Sequence, residues 1–279
     1  MLYYVFTVDG DWHQYFDVSL PEEERIPNEE CMREFIEAEV TLGQRLLAGK
    51  FIHFIHASPR AREFFLKEPF IEFWHKIINN AGDIGIHCHE DDPSRNYYFR
   101  DIERMRKVIL EQVNRLKEAG LPASAYRGGY LTFCKELIPV LEEANIRFDF
   151  SCEPGRYLVL GGEVVSDWRG APDSLYRMSY SDQRRPGNSS VFEVPIGAAQ
   201  GGYLYFEKYN KDMLGKAAES LEKKARSRNK DIIVSVLTHS YDYDCKKNIK
   251  DIEEKTALLK KHGRFINLKE VLKILGEGR

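Results

Sequence analysis

The stretch Gly82-Asp83-Ile84-Gly85-Ile86-His87-Cys88-His89-Glu90-Asp91-Asp92 decides how this chain is read. A short apolar run, opened by glycine and closed by polar residues, predicts a buried β-strand. It runs out into histidines and carboxylates. Side chains alternate along an extended chain, so His87 and His89 share one face, while Cys88 turns to the other as a small buried residue. The N-terminus repeats the arrangement, because the apolar run 2–8 ends in Asp9-Gly10-Asp11, whose two carboxylates share a face if the strand continues. Imidazole nitrogen and carboxylate oxygen both ligate divalent ions such as Zn²⁺, and two such strands side by side would form one site.

Outward from these stretches, short apolar runs alternate with longer segments of helical period, the pattern of repeated βα units around a parallel sheet or barrel. Strands are expected at 2–8, 51–56, 83–86, 123–127, 147–150, 191–196 and 231–237. Helices are expected at 28–48, 61–80, 97–119, 133–144, 211–227 and 250–261, several closed by a glycine. Residues 153–190 break the rhythm with Gly, Pro, Asp, Ser and aromatics, and read as an irregular lid or meander near the site. The charge-rich tail 246–279 reads as solvated amphipathic helices. One domain over 1–279 is expected, since a single α/β barrel of roughly 250 residues is common.

At 279 residues, 43% hydrophobic and 30% charged, the chain has the composition of a globular protein with a large core. A formal net charge of −3 gives no footprint for nucleic acid or an anionic membrane. No window offers the roughly 20 apolar residues of a membrane span. The five cysteines, Cys31, Cys88, Cys134, Cys152 and Cys245, are odd in number and form no C-x-x-C. A reducing compartment fits them, and with no export signal in the opening residues a cytoplasmic protein is expected.

The polar residues collect where the expected strands end: Asp9 and Asp11, then His87 and His89, then Arg127, Asp149 and His239. Those C-terminal ends are the face on which α/β barrels build active sites, because the βα loops converge there. Taken in order, the segments are Thr7-Val8-Asp9-Gly10-Asp11, Gly85-Ile86-His87-Cys88-His89, Tyr126-Arg127-Gly128-Gly129-Tyr130, Phe148-Asp149-Phe150-Ser151 and Leu237-Thr238-His239-Ser240. This ordered set resembles the polysaccharide deacetylase family, also called the NodB-homology family or carbohydrate esterase family four.

The resemblance implies a distorted (β/α)7 TIM-like barrel that hydrolyses an N-acyl group, usually acetyl, from an amino sugar with one divalent ion. Zn²⁺ is the default, with Co²⁺, Ni²⁺ or Mn²⁺ as alternatives. It also implies Asp11, His87 and His89 as metal ligands and Asp9 as a general base held by Arg127. His239 becomes the general acid, its ring held by Asp149, and the backbone N–H of Tyr130 helps stabilise the oxyanion. The expected substrate is a small molecule or oligosaccharide bearing an N-acyl group, with Trp12, Tyr130 and Trp168 as platforms for its rings.

This chain departs from the family pattern at three points. Gly10 separates the aspartates, the histidines stand two apart with Asp91 at the usual four-apart position as a competing ligand, and Gly129 replaces the proline of the turn that aims Tyr130. His13, His53, His56 and His75 are assigned to packing, with His13 the one near enough to Asp11 in sequence to close on a metal. Glu193, inside an expected strand, is left either lining the barrel or facing a helix. Two other functions share these residues: hydrolysis of a different non-peptide C–N bond, in a small amide or cyclic ureide, and carbohydrate binding without catalysis.

Overall fold

The computed structural model describes residues 1–90, 97–199, 202–243 and 248–277. Its strands are β1 (Leu2–Asp9), β2 (Phe51–Ala57), β3 (Asp83–Cys88), β4 (Ala125–Gly128), β5 (Phe148–Asp149), β6 (Tyr157–Leu160) and β7 (Glu163–Asp167). They continue with β8 (Tyr176–Arg177), β9 (Phe192–Glu193), β10 (Ala198–Ala199), β11 (Gly202–Tyr203), β12 (Ile232–His239) and β13 (Arg264–Phe265). The α-helices are α1 (Glu29–Leu47), α2 (Phe70–Asn79), α3 (Ile102–Glu118), α4 (Ile138–Glu143), α5 (Lys211–Arg228), α6 (Ile249–His262) and α7 (Leu268–Ile274).

The main sheet runs β12-β1-β2-β3-β4-β5-β9-β8, with β13 alongside β1. Every pairing is parallel except β8 with β9. Each of the expected strand segments contributes one parallel strand. The curled sheet is joined up by irregular chain: Ser235 N–H donates to the Pro195 carbonyl at 2.8 Å, Gly197 N–H to the Ser235 carbonyl at 3.0 Å, and Phe206 N–H to the Leu237 carbonyl at 2.8 Å. This is the distorted barrel that the motif series implies.

β1, β2 and β12 are buried along almost their whole length, as strands covered on both faces must be. Their apolar runs are therefore continuous instead of alternating. Helix starts follow the sequence chemistry, with Asn28, Asp101, Asn210 and Asn267 each accepting a backbone N–H from the first turn.

Two expectations gain detail. The 153–190 stretch holds the antiparallel hairpin β6–β7 as well as β8, and it braces the turn after β4: Phe133 N–H donates to the Val165 carbonyl at 3.2 Å and Ser166 Oγ to the Leu131 carbonyl at 2.9 Å. The tail is more than solvated helices, because β13 joins the sheet beside β1 and Lys255 of α6 is buried, donating to the Phe206 carbonyl at 2.8 Å. Among the described residues no helix is long and apolar enough to cross a membrane.

Candidate active site

Strand register assembles the site. Asp9 on β1 lies level with His239 on β12, and a second row runs from His56 on β2 through His87 on β3 to Arg127 on β4. All sit at the C-terminal ends of their strands, and Asp11 follows two residues beyond β1.

Three donor atoms converge. Asp11 Oδ1 lies 3.4 Å from His87 Nε2 and 3.6 Å from His89 Nε2, and the two Nε2 atoms are 3.1 Å apart. One ion held at about 2.0–2.2 Å from each ligand fits a triangle of that size. The tautomer of His87 agrees, since its Nδ1 faces the Arg127 carbonyl at 3.1 Å; with the proton there, the Nε2 lone pair points at the centre. Burial alone would raise the Asp11 carboxyl, but His89, His56 and His87 around it hold it well below the usual range. The donor set therefore fits a divalent metal.

His56, expected to be a packing residue, belongs to this cluster. It is buried, with Nδ1 3.1 Å from Asp11 Oδ1, and its ring stacks on His89 at 5.0 Å. Burial drives its pKa well below the ordinary value, against the pull of Asp11 and with His89 and His13 acting in the same direction as burial. A neutral imidazole carries one N–H. Placed on Nδ1, it donates to Asp11 and leaves the buried Nε2 without a partner. His53, one strand face away, bonds Glu39 at 2.8 Å and is structural, as expected. His13 packs its ring 5.3 Å from His89 and 5.2 Å from His56.

Beside the triangle, Arg127 is fully buried and spends its donors on three partners: Asp9 Oδ1 at 2.6 Å, Thr7 Oγ1 at 2.9 Å and the Phe150 carbonyl at 3.0 Å. Asp9 is thus fixed by a charge-assisted bond, with its other oxygen 3.8 Å from His87 Nε2.

His239 closes the opposite side, its Nε2 3.7 Å from Asp11 Oδ2. Its Nδ1 lies 3.0 Å from Glu207 Oε1, and this corrects the assignment of Asp149 to that role. Phe206, hydrogen-bonded to β12, sets Glu207 beside the His239 ring. Asp149 instead sits buried in register with Glu193 and accepts from Ser151 Oγ at 2.7 Å. Burial lowers the His239 pKa, but the Glu207 bond and the charges of Asp11, Glu207 and Asp9 overcome it and raise the value to about 9. These partners favour the protonated imidazole. Burial raises both carboxyls of the Asp149–Glu193 pair, Asp149 to about 6 and Glu193 well above its ordinary value, so the pair holds a shared proton.

The turn after β4 carries Tyr130 and Leu131 in the left-handed region, at φ 53° and 59°. Non-glycine residues there store strain of the kind found at functional sites. Tyr130 is 41% exposed and its ring meets that of His89 edge-on at 4.9 Å. Gly129 has a steric reason: a Cβ on it would stand 2.7 Å from His89 Cγ. The proline usual in the motif has no room beside a histidine placed two residues after His87.

The cleft encloses about 350 Å³ and is lined by Asp9, Asp11, His13, Gln14, His87, His89, Tyr130, Leu131, Arg156, Tyr205, Lys208, Leu237, His239 and Tyr241. Two expected ring platforms are absent from it. Trp12 is 4% exposed and stacks on His13, and Trp168 is fully buried against Phe133, so neither presents a face to a ligand. Asp91, the competing ligand, lies outside the described residues. Glu207, Arg156 and Lys208 carry no motif in the sequence and were not expected; the aromatic density of 203–209 is the one local signal near two of them.

A curled parallel barrel with a His/Asp donor cluster at the strand ends defines the class, and comparison with solved structures agrees on the fold. The chain is similar to a protein from Mycobacterium smegmatis assigned as a polysaccharide deacetylase, with a TM-score of 0.63 and 12% identity over 99% of this chain and 90% of that one. It is similar to PuuE allantoinase, with a TM-score of 0.62 and 11% identity over 98% of this chain and 89% of the other. It also matches a 4-α-glucanotransferase from Thermococcus litoralis at a TM-score of 0.57 and 11% identity, over 98% of this chain but 38% of that larger one. No family model matches the sequence, and no curated protein does. The chain therefore has the polysaccharide deacetylase fold, at identities that establish the fold alone.

Proposed function

We propose that this chain is a divergent relative of the polysaccharide deacetylases, a metal-dependent hydrolase that removes an N-acyl group, acetyl first, from an amino sugar or glycan precursor. The observation that carries the reading is the Asp11–His87–His89 donor triangle with Asp9 on one side and a protonated His239 on the other. Zn²⁺ suits two imidazoles and a carboxylate best. A divalent ion bound there would polarise the scissile carbonyl and acidify water at the site.

The chain's own residues supply the rest. Asp9, oriented by Arg127, takes the proton of the attacking water. His239, held through Nδ1 by Glu207, directs its Nε2 proton to the leaving amine nitrogen. Without that proton the amine would leave as a poor anionic group. The backbone at Tyr130 borders the developing oxyanion, and its exposed ring borders the sugar. A cytoplasmic location belongs to the same proposal and rests on the five cysteines, odd in number and without a C-x-x-C pair, with Cys88, Cys134 and Cys152 buried as thiols.

The test is acyl release from a panel of N-acetylated amino sugars and small cyclic ureides, using protein stripped of metal and then reloaded with Zn²⁺. Metal-dependent acetate release from a sugar is the expected result. Turnover of a ureide with no acetate release would reassign the site to the other C–N hydrolysis, and inertness toward both with metal bound would overturn an enzymatic role.

A further inference from the structure

The cleft lining also carries two cations that the deacetylation chemistry does not use, Arg156 just before β6 and Lys208 just before α5. Tyr205 stands between them. Lys208 Nζ lies 4.3 Å over the Tyr205 ring, whose hydroxyl bonds Glu153, and Glu153 accepts from Arg156 Nη1 at 3.1 Å. Glu153 thus takes one edge of the guanidinium, while Arg156 Nε is buried with no partner. Lys208 has no carboxylate within ion-pair distance among the described residues, and the residue is exposed.

Glu153 meets this charge only at Arg156, and the other carboxylates near the cleft are engaged elsewhere. Asp9 is held by Arg127, Asp11 is ringed by imidazoles, and Glu207 is engaged by His239. A divalent ion would add further positive charge. We infer, resting on the hydrolase reading above, that the substrate carries an anionic group, a phosphate or a carboxylate, which Arg156 and Lys208 receive while its N-acyl group lies at Asp9, Asp11 and His239. Charge-assisted bonds of this kind confer roughly ten- to a hundredfold preference over a neutral analogue, and the preference shrinks as salt screens the exposed ammonium.

The experiment measures Kd by calorimetry, and kcat/KM where acetate is released, for three probes: N-acetylglucosamine, its 6-phosphate, and N-acetylmuramic acid. The proteins are the Zn²⁺-loaded wild type, Arg156→Met, Lys208→Met and Lys208→Arg. Wild type is expected to bind at least one anionic probe about tenfold or more tighter than the neutral sugar. Both Met variants should lose that preference, and Lys208→Arg should retain it. Which anionic probe wins separates phosphate from carboxylate. Equal Kd values for all probes in wild type, failure to bind any of them, or a preference that survives both Met substitutions would overturn the inference. Anion-selective binding without acetate release would leave the inference standing and remove the deacetylase reading instead.

Discussion

Replacing Gly129 with alanine should strip the site of metal affinity while leaving the fold in place. The added Cβ would stand 2.7 Å from Cγ and 2.8 Å from Cδ2 and Nδ1 of His89, where ordinary contact begins at 3.4 Å. The ring must therefore recoil by about 0.7 Å, a third of a Zn–N bond of ~2.0–2.1 Å. It cannot recoil alone, because His89 stacks on His56 at 5.0 Å and His56 Nδ1 lies 3.1 Å from Asp11. Two of the three donors shift together. Displaced or unsupported ligands cost on the order of 10- to 100-fold in metal affinity. The backbone at Gly129 lies outside the left-handed region, so alanine brings no backbone strain of its own, and the fall in Tm should reflect only the overpacking at His89, about 1–3 kcal/mol. The assay is Zn²⁺ competition against a chromophoric chelator, beside thermal melts of the metal-free protein. Wild-type affinity in a folded Gly129→Ala variant would refute the placement of His89 as a ligand.

Three further outcomes follow from the same geometry. His56→Phe keeps the size and burial of the ring but removes the N–H that faces Asp11, and Zn²⁺ competition should show a loss of about 10- to 100-fold in affinity. Glu207→Gln removes the carboxylate that raises His239 to about 9, so an NMR titration of the His239 ring in metal-free protein should show its pKa falling, and the alkaline limb of kcat/KM should move to lower pH. The stability sign is also fixed: this raised imidazole stabilises the fold fully below its unfolded value of about 6.5, and the contribution is lost as pH rises through about 9. Glu193→Gln acts in another window. Asp149 and Glu193 have raised folded pKa values, so the folded state binds more protons than the unfolded one and stability falls as pH rises from the unfolded carboxylate range through about 6 and beyond. The introduced amide would donate permanently to Asp149, and the variant's Tm should fall less than wild type across that rise.

The candidate site was legible in the sequence wherever a polar side chain ends a strand with a strong local signal. Asp9, Asp11, His87, His89, Arg127 and His239 each follow an apolar run, and parallel register brings them to one place. His56 lay within reach of the same logic. His53 and His56 have opposite parity on β2, so they face opposite sides; one turns to Glu39, while the other stands level with His87 and faces Asp11. Glu207 was not legible, because its position depends on how irregular chain closes the barrel against β12, a contact with no periodicity of its own. The burial of Trp12 and Trp168 was hidden for a related reason: an aromatic residue in a loop looks the same whether it stacks on His13 or Phe133 or faces a ligand. Asp149 ends its strand as expected, but its neighbour across the ladder is Glu193, and that partner appears only once β9 is placed beside β5.

The central claim is that Asp11, His87 and His89 hold one metal ion that His239 does not. Its most direct test is the metal content of purified wild type, His87→Ala and His239→Ala, measured by elemental analysis together with acyl release. The account requires one ion per chain in wild type and in His239→Ala, loss of the ion in His87→Ala, and loss of turnover in both variants. A His87→Ala protein that keeps its ion, or a His239→Ala protein that keeps its activity, would contradict it.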